Sequence, residues 1–576
     1  MTYMLALEGE PETYEAGFTA LTGGVNLEVR RWVASKLDGR GRVLEVGCGP
    51  GTLSVDLARA GCQVVAVDAS PAMVRQAKKK VASEGLADSV EVAVGNATDL
   101  PGGEGSFDAV VSMFLLSELR PFEQLAFLRQ AWNKLRPGGR LLVAAEFVPR
   151  GPRRVGFALR RWWYARKLRR LRSGLTHPLK WFDRYPPALG FRQVDLRSWR
   201  GGAIKALEYE KVESDGGAGG SPGLYLPPPK PFTGPKARLV AARCLLTGQV
   251  DHVAVEPGVY PSGNPDRTSP VVVTANYAYT HFRVMRALRG VDAWVLLVDS
   301  RGVNVWCAAR GGNFGNHQLK EALLHSGVSE LVDHRKLVLP QLAAGGVSFR
   351  ELAQDPDFGW RPTYGPVWAE DLPEYLARGS PAKKPQEWRV AKFDAGKRLQ
   401  AGVTHATFLL RKLALRPTAA IALALVLVAA VRPGTASAPW WPAAWRLAGA
   451  AWASLTCVAL FVALAFPAVG FTRKFVAKGA TFAAVCAAAT APLAAWRTLD
   501  DPLTFLGPPN PLQVAGEVLL VAWVAFFVTM SFSGYTFETS PREIVAEYDG
   551  FVRINRALAA LSTTLYAAGV VLNVVT

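Results

Sequence analysis

Val43-Leu44-Glu45-Val46-Gly47-Cys48-Gly49-Pro50-Gly51 is an apolar run that ends in alternating glycines, and its reading decides the fold of the first part of the chain. The short apolar run predicts a buried strand, the glycines a sharp turn, and the residues from about Thr52 a helix. Val64-Val65-Ala66-Val67-Asp68 predicts a second strand, finishing on an acid about twenty residues further on. Strand, glycine turn, helix, strand, acid is the order of a nucleotide-binding α/β unit. Its glycines let a ligand approach the backbone closely, and its acid binds ribose hydroxyls.

Two further stretches, Phe107-Asp108-Ala109-Val110-Val111-Ser112 and Leu135-Arg136-Pro137-Gly138-Gly139, follow in order. Together with Glu45-x-Gly47-x-Gly49-x-Gly51, this part of the chain resembles the class I S-adenosylmethionine-dependent methyltransferases rather than dehydrogenases. The resemblance implies a Rossmann-like domain in which Gly47, Gly49 and Gly51, with Glu45 opening the motif, line the methionine part of S-adenosylmethionine. It implies that Asp68 holds the ribose and Asn96-Ala97 the adenine, although many relatives carry Asp where Asn96 stands. There is no Pro-Pro-Tyr motif of the amino-methylating nucleic-acid enzymes. The methyl acceptor is not written in the sequence, because such transfer rests mainly on in-line positioning.

A second informative stretch is Asn304-Val305-Trp306-Cys307-Ala308-Ala309. It lies between a strand-like run, Trp294-Val295-Leu296-Leu297-Val298-Asp299, and the glycine-rich Arg310-Gly311-Gly312-Asn313-Phe314-Gly315, with a helix expected from about Asn316. Here the chain resembles the mercury-methylation corrinoid proteins, whose cap helix carries an Asn-Val-Trp-Cys-Ala-Ala core. Val271-Val272-Val273-Thr274-Ala275-Asn276-Tyr277 upstream matches further landmarks of that family in order. Downstream, Val338-Leu339-Pro340-Gln341-Leu342, Tyr364-Gly365-Pro366-Val367 and Asp371-Leu372-Pro373 do the same. The resemblance implies a second Rossmann-like domain that binds a cobalamin-type corrinoid, with Cys307 as axial ligand of the cobalt. It implies cofactor contacts from Thr274, Asn276, Asn304, Val305, Trp306, Cys307, Ala308, Ala309, Tyr364 and Gly365. One departure is plain: the family continues Ala-Ala-Gly-Lys, whereas this chain continues Ala308-Ala309-Arg310-Gly311. A planar guanidinium does not replace a compact ammonium at a site of fixed geometry.

A thiolate is a soft, strongly donating ligand that pushes electron density through cobalt toward a methyl group on the opposite face. Such a methyl leaves as a carbanion equivalent, for which Hg(II) or another soft electrophile is the natural acceptor. The remaining cysteines, Cys48, Cys62, Cys244, Cys457 and Cys486, are scattered and include no Cys-x-x-Cys. No disulfide framework, zinc site or iron–sulfur ligand set is indicated, and a reducing compartment fits. Electrons for cobalt would therefore come from a separate protein, in this family a small ferredoxin-like iron–sulfur partner.

The chain has 576 residues and a formal charge of +19, which calls for an acidic partner or surface. Apolar runs at about Pro417 to Val431, Ala443 to Val469, Phe475 to Ala495, Leu512 to Phe532 and Ala557 to Val575 predict five transmembrane helices. Lys and Arg crowd Arg411, Lys412 and Arg416, then Arg473, Lys474 and Lys478, then Arg542, Arg553 and Arg556, whereas Asp500 and Asp501 sit in the third connection. The positive-inside rule then sets the soluble domains in the cytoplasm, on a multi-pass inner-membrane protein. Met1 to Gly24 is polar and acidic, unlike a cleavable signal peptide. Glu517, near the start of the fourth run, is either a pathway group or a snorkelling one.

Arg150 to Lys180 holds eleven Lys or Arg and no acid, interleaved with Phe157, Trp162, Trp163 and Tyr164. Such a segment suits anionic lipid, a solvated or domain face, or, least of the three, nucleic acid. The expected architecture is a methyltransferase domain at 1–212, a Gly/Pro-rich linker at 213–236, a corrinoid domain with cap helix at 237–400 and an all-α membrane domain at 401–576. The expected function is corrinoid-dependent methyl transfer of the mercury-methylation type, charged by S-adenosylmethionine or methyltetrahydrofolate. The alternatives are methyl transfer to another electrophile or metabolite, and a membrane corrinoid carrier that does no chemistry.

Overall fold

The computed structural model describes, apart from isolated positions, residues 14–149, 151–168, 178–212, 225–227, 234–246, 253–389, 474–496, 510–533 and 541–575, with short pieces between 457 and 465. Chain contacts divide it into two units, one built mainly on residues up to Pro228 and the other mainly on residues from Pro229.

The first unit carries a seven-stranded sheet in the order β3-β2-β1-β4-β5-β7-β6. Its strands are β1 (Arg42–Val46), β2 (Gln63–Asp68), β3 (Val90–Val94), β4 (Phe107–Met113), β5 (Leu135–Glu146), β6 (Phe191–Trp199) and β7 (Ile204–Lys211). β1 to β5 run parallel, and β7 is antiparallel to both β5 and β6. Helices α1 (Tyr14–Thr22), α2 (Val25–Lys36), α3 (Thr52–Arg59), α4 (Pro71–Ser83), α5 (Pro121–Lys134) and α6 (Arg153–Leu168) accompany it. Val43, Leu44 and Val46 of β1 are buried, which a central strand covered by helices on both faces requires. Each such side chain contributes about 1.5–3 kcal/mol on burial. This is the Rossmann-like methyltransferase arrangement expected from the glycine turn.

The second unit carries a five-stranded sheet in the order β12-β11-β9-β10-β8. β8 is Gly258–Ser262, β9 Val271–Ala275, β10 Ala293–Val298, β11 Lys336–Leu339 and β12 Arg361–Tyr364. β9, β10, β11 and β12 are mutually parallel, and all the side chains of β9 and β10 are buried. Helices α7 (Pro235–Leu246) and α8 (Ala278–Ala287) come before α9 (Val305–Arg310), where the cap helix was expected; α10 (Asn316–His325) follows in sequence but falls mainly in the first unit. β9 leads to β10 on one side and β11 to β12 on the other. The strand order therefore reverses between β9 and β11, and a crevice at the carboxyl ends of such strands is where open α/β sheets bind ligands.

Three apolar helices close the described chain: α11 (Phe475–Trp496), α12 (Pro511–Ser533) and α13 (Pro541–Val575). Of these, α12 and α13 pack antiparallel through small residues. A Cβ on Gly516 would lie 2.7 Å from Tyr566 Cα, and one on Gly569 would lie 2.7 Å from Gln513 Cα. The expectation of five membrane spans is corrected here. Among the described residues one helix, Pro511–Thr529, is long and apolar enough to cross a membrane, and Val476–Pro492 is shorter. Pro492 lies inside α11, and the first half of α13 is charged. The run at 417–431 lies outside the described residues, and the one at 443–469 is described only in fragments. The linker expected at 213–236 also lies largely outside them.

Candidate functional site

In the first unit the glycine turn leaves β1 with Gly47, Gly49 and Gly51 all at positive φ, between 53° and 81°. Gly51 is needed for space as well as conformation, because a Cβ there would sit 2.9 Å from the Cβ of Ala77 on α4. Asp68, at the end of β2, accepts hydrogen bonds from the Gly49 N–H at 2.9 Å and the Ser70 N–H at 2.8 Å. One bond to each carboxylate oxygen leaves acceptor capacity for ribose hydroxyls. The Gly95 N–H donates to the Asp68 carbonyl at 3.1 Å, so the exposed Asn96 and buried Ala97 follow directly on the same edge. The expected S-adenosylmethionine residues Gly47, Gly49, Gly51, Asp68, Asn96 and Ala97 are thus brought together, and they fit that cofactor.

Glu45 points the other way. It is buried, accepts a hydrogen bond from the Ser54 hydroxyl of α3, and is pushed up to about 8 chiefly by desolvation, with Asp68 and Asp56 adding to the rise. It braces the turn from behind. Burial likewise pushes the Cys48 thiol up, beside Glu45 and Asp68.

Sequence reasoning missed what covers this edge. The ring of Phe18 on α1 meets Phe114 edge-on at 5.1 Å, and Tyr14 stacks on Phe18 at 6.0 Å. A Cβ on Gly49 would lie 3.9 Å from the Tyr14 ring. Glu15 ties α1 down through Lys80 at 2.9 Å and Arg30 at 3.3 Å. Burial alone would raise the Glu15 carboxyl, but hydrogen bonds from Lys80 and Thr52, with the charges of Lys80 and Arg30, hold it below its usual range. Phe114 itself has φ 66°, a left-handed backbone that a bulky side chain rarely adopts, immediately after β4. No sequence signal marks that strain.

In the second unit α9 sorts its residues by face. Val305, Ala308 and Ala309 are buried, Trp306 is half-buried and Cys307 is exposed. Asn304 caps the helix: its Oδ1 accepts from the Cys307 N–H at 2.9 Å, and its Nδ2 donates to Cys307 Sγ at 3.3 Å. An accessible thiol in a fixed orientation, on a packed helix at the carboxyl edge of the sheet, fits an axial ligand. Gly346 makes the packing possible, since a Cβ there would lie 2.6 Å from the Ala309 carbonyl and 2.3 Å from that of Phe314. Trp306 packs against Ala483, Ala522, Phe526 and Phe551 of the three apolar helices, and the Arg310 guanidinium lies 5.7 Å from its ring centre.

Other expected contacts are placed differently. Asn276 is fully buried and its amide is committed. It donates to the Val255 carbonyl at 3.0 Å and Asp299 at 3.1 Å, and accepts from Ser300 and Gly302 N–H groups at 2.9 and 3.0 Å. It ties β9 to the loop after β10 instead of facing outward, and Thr274 is buried within β9. Tyr364 stacks on Phe349 at 4.1 Å and donates to the Val347 carbonyl at 2.8 Å; desolvation pushes its hydroxyl up to about 12. Lys384, which sequence reasoning passed over, donates to Gln341 and to the carbonyls of Tyr364 and Gly365. It clips together the ends of β11 and β12, and desolvation, aided by Arg389, brings it down to about 8.

Among the described residues no cluster of three or more His, Cys, Asp or Glu is arranged to hold a metal ion. A lone thiolate ligand to a cofactor-borne metal needs no such cluster.

Residues 43–139 match the family model described as a methyltransferase domain. Residues 237–375 match that of the CO dehydrogenase/acetyl-CoA synthase delta subunit. Among curated proteins, the acetyl-CoA decarbonylase/synthase complex subunit gamma of Methanopyrus kandleri is 34% identical over 142 residues, covering 24% of this chain and 30% of the relative. That of Methanocaldococcus jannaschii is 33% identical over 153 residues, covering 26% and 30%. The chain thus spans about 30% of the length of these relatives. Solved structures similar to it include a putative sarcosine dimethylglycine methyltransferase from Galdieria sulphuraria, 16% identical with a TM-score of 0.27, covering 32% of this chain and 86% of that one. A SAM-dependent methyltransferase from Methanosarcina mazei is 22% identical with a TM-score of 0.25, covering 30% and 93%. The chain carries a methyltransferase domain, whose cofactor is S-adenosylmethionine, and a corrinoid-related domain, whose cofactor is a corrinoid.

Proposed function

We propose that this chain catalyses corrinoid-dependent methyl transfer of the mercury-methylation type, with Cys307 as the axial thiolate of cobalt and Hg(II) as methyl acceptor. The observation that carries the reading is the presentation of Cys307: exposed, on a helix whose Val305, Ala308 and Ala309 are buried, with the Asn304 amide on its sulfur. The corrinoid, when bound, supplies a cobalt centre that takes up and releases a methyl group. Asn304 orients the sulfur, while Val305, Ala308 and Ala309 hold the helix against the loop at Gly346. Thr274 and Asn276 shape the crevice floor from within, and Tyr364-Gly365 form its far edge, clipped by Lys384. In the first domain Gly47, Gly49, Gly51, Asp68, Asn96 and Ala97 hold S-adenosylmethionine, with Glu45 behind them. That domain either charges the corrinoid or methylates a related substrate of the same sequence of reactions.

The reading includes domain limits at 1–212, 213–236, 237–400 and 401–576, with the last segment in the inner membrane and the α/β domains in the cytoplasm. It includes a ferredoxin-like iron–sulfur reductant as protein partner. That the similar archaeal proteins are subunits of a complex is consistent with protein partners. The test reconstitutes the full chain with cobalamin and a strong reductant, then supplies Hg(II) with methyl-labelled S-adenosylmethionine or methyltetrahydrofolate. Labelled methylmercury that disappears in Cys307→Ala is expected. Unchanged cobalt absorption on reconstituting that variant would remove Cys307 as ligand.

A second reading, methyl transfer to another soft electrophile, draws on one observation. Where the family has Gly-Lys, Arg310 is engaged over the Trp306 ring, leaving no ammonium at that position. Label that leaves S-adenosylmethionine and is retained by the protein, with no methylmercury formed, would favour it.

A further inference from the structure

We propose that α6 is a docking helix that seats the methyltransferase domain on an anionic lipid surface. The proposal rests on the helix itself and is independent of the chemistry at Cys307. On its inner side α6 is anchored to the domain. Phe157 is buried, and Arg161 lies over the Phe157 ring at 5.7 Å and pairs with Glu146 at 2.6 Å. Glu146 ends β5, on the edge of the parallel strands that also carries the glycine turn, Asp68 and Phe114.

The described outer positions of its first half are exposed. Val155 is 63% exposed and Leu159 is 62% exposed, four residues apart and so on one face, with Arg153 and Arg154 exposed beside them. Two aliphatic side chains held this far out of a folded domain cost free energy in water and recover it in the acyl boundary of a bilayer. The charge around them is of one sign. From Arg150 to Lys180 the sequence has eleven basic residues and no acid, with Trp162, Trp163 and Tyr164 among them. Basic residues beside exposed aliphatics, with interfacial aromatics in the same segment, are complementary to an anionic headgroup layer over an apolar interior. Duplex nucleic acid offers the charge but nothing to take up Val155 and Leu159. Docking would turn the cofactor edge of the sheet toward the membrane, so that an acceptor dissolved in lipid reaches it without crossing water.

The test follows amide hydrogen exchange of residues 153–168 in the full chain, held in nanodiscs of phosphatidylcholine alone or with phosphatidylglycerol. Slower exchange of this segment in the anionic discs, reversed by salt and lost in the V155D/L159D double variant, is the expected result. Both substituted positions are exposed, and unchanged exchange of β1 to β5 shows that the variant is folded. Equal exchange in both lipid compositions would overturn the proposal. So would protection by a duplex oligonucleotide that matches or exceeds that by anionic lipid.

Discussion

At the scale of single residues, Glu45 and Cys307 differ most in how their surroundings change them. Glu45 belongs to a motif read as cofactor-facing, yet it is buried behind the turn and carries a carboxyl pushed up to about 8. A carboxyl raised on folding from its ordinary value of 4.5 stabilises the fold fully below pH 4.5, and that contribution is lost as pH rises toward 8. Melting of the full chain across this window is expected to show stability falling by up to roughly 1.4 kcal/mol per pH unit from this group. The slope should flatten in Glu45→Gln, and an unaltered slope would mean that Glu45 is not its source. Cys307, by contrast, is exposed, as is Cys457, whereas Cys48, Cys62, Cys244 and Cys486 are buried. Brief alkylation read by mass spectrometry should modify Cys307 and spare Cys48, Cys62, Cys244 and Cys486. Bound cobalamin should protect Cys307 alone. No spacing rule distinguishes these six thiols, because exposure is a property of the packed chain.

At the scale of elements, a helix at Val305–Arg310 was expected from the resemblance and is present. Asn304 is a strong N-cap residue, and the structure uses it so. The tight seat beneath the helix was not legible, since Gly345-Gly346 reads as an ordinary loop until Ala309 and Phe314 are brought against it. Gly346→Ala would force a methyl group into backbone oxygens, at a cost of about 1–3 kcal/mol. We expect it to lift α9, lower the melting temperature and weaken cobalamin binding measured by absorbance titration. Retained affinity would show that the helix does not need this approach. The α1 helix over the glycine turn was equally invisible, because the contacts of Tyr14 and Phe18 with Gly49 and Phe114 join residues far apart in sequence. Of the five apolar runs of the last third, one is, among the described residues, a helix long and apolar enough to cross a membrane. Hydropathy alone does not distinguish a membrane-crossing helix from one with an internal proline or with charge over half its length.

At the scale of the whole molecule, two units with separate sheets imply two separately ligated folding units. S-Adenosylhomocysteine should stabilise one calorimetric transition and cobalamin the other, each by about 2.7 kcal/mol at roughly a hundredfold excess over its Kd. A single transition moved by both ligands would mean that the units unfold together. The sequence alone determined β1, β2 and β10, since buried parallel strands must be near-continuous apolar runs and a glycine turn must follow β1. Through the resemblance it also implied a helix that carries Cys307. Only the tertiary structure decided which thiol reaches solvent, that Glu45 and Asn276 face inward, that Phe114 is strained, and that Lys384 clips two strand ends. Those outcomes depend on which distant segments pack together, and a local pattern of residues carries no record of that.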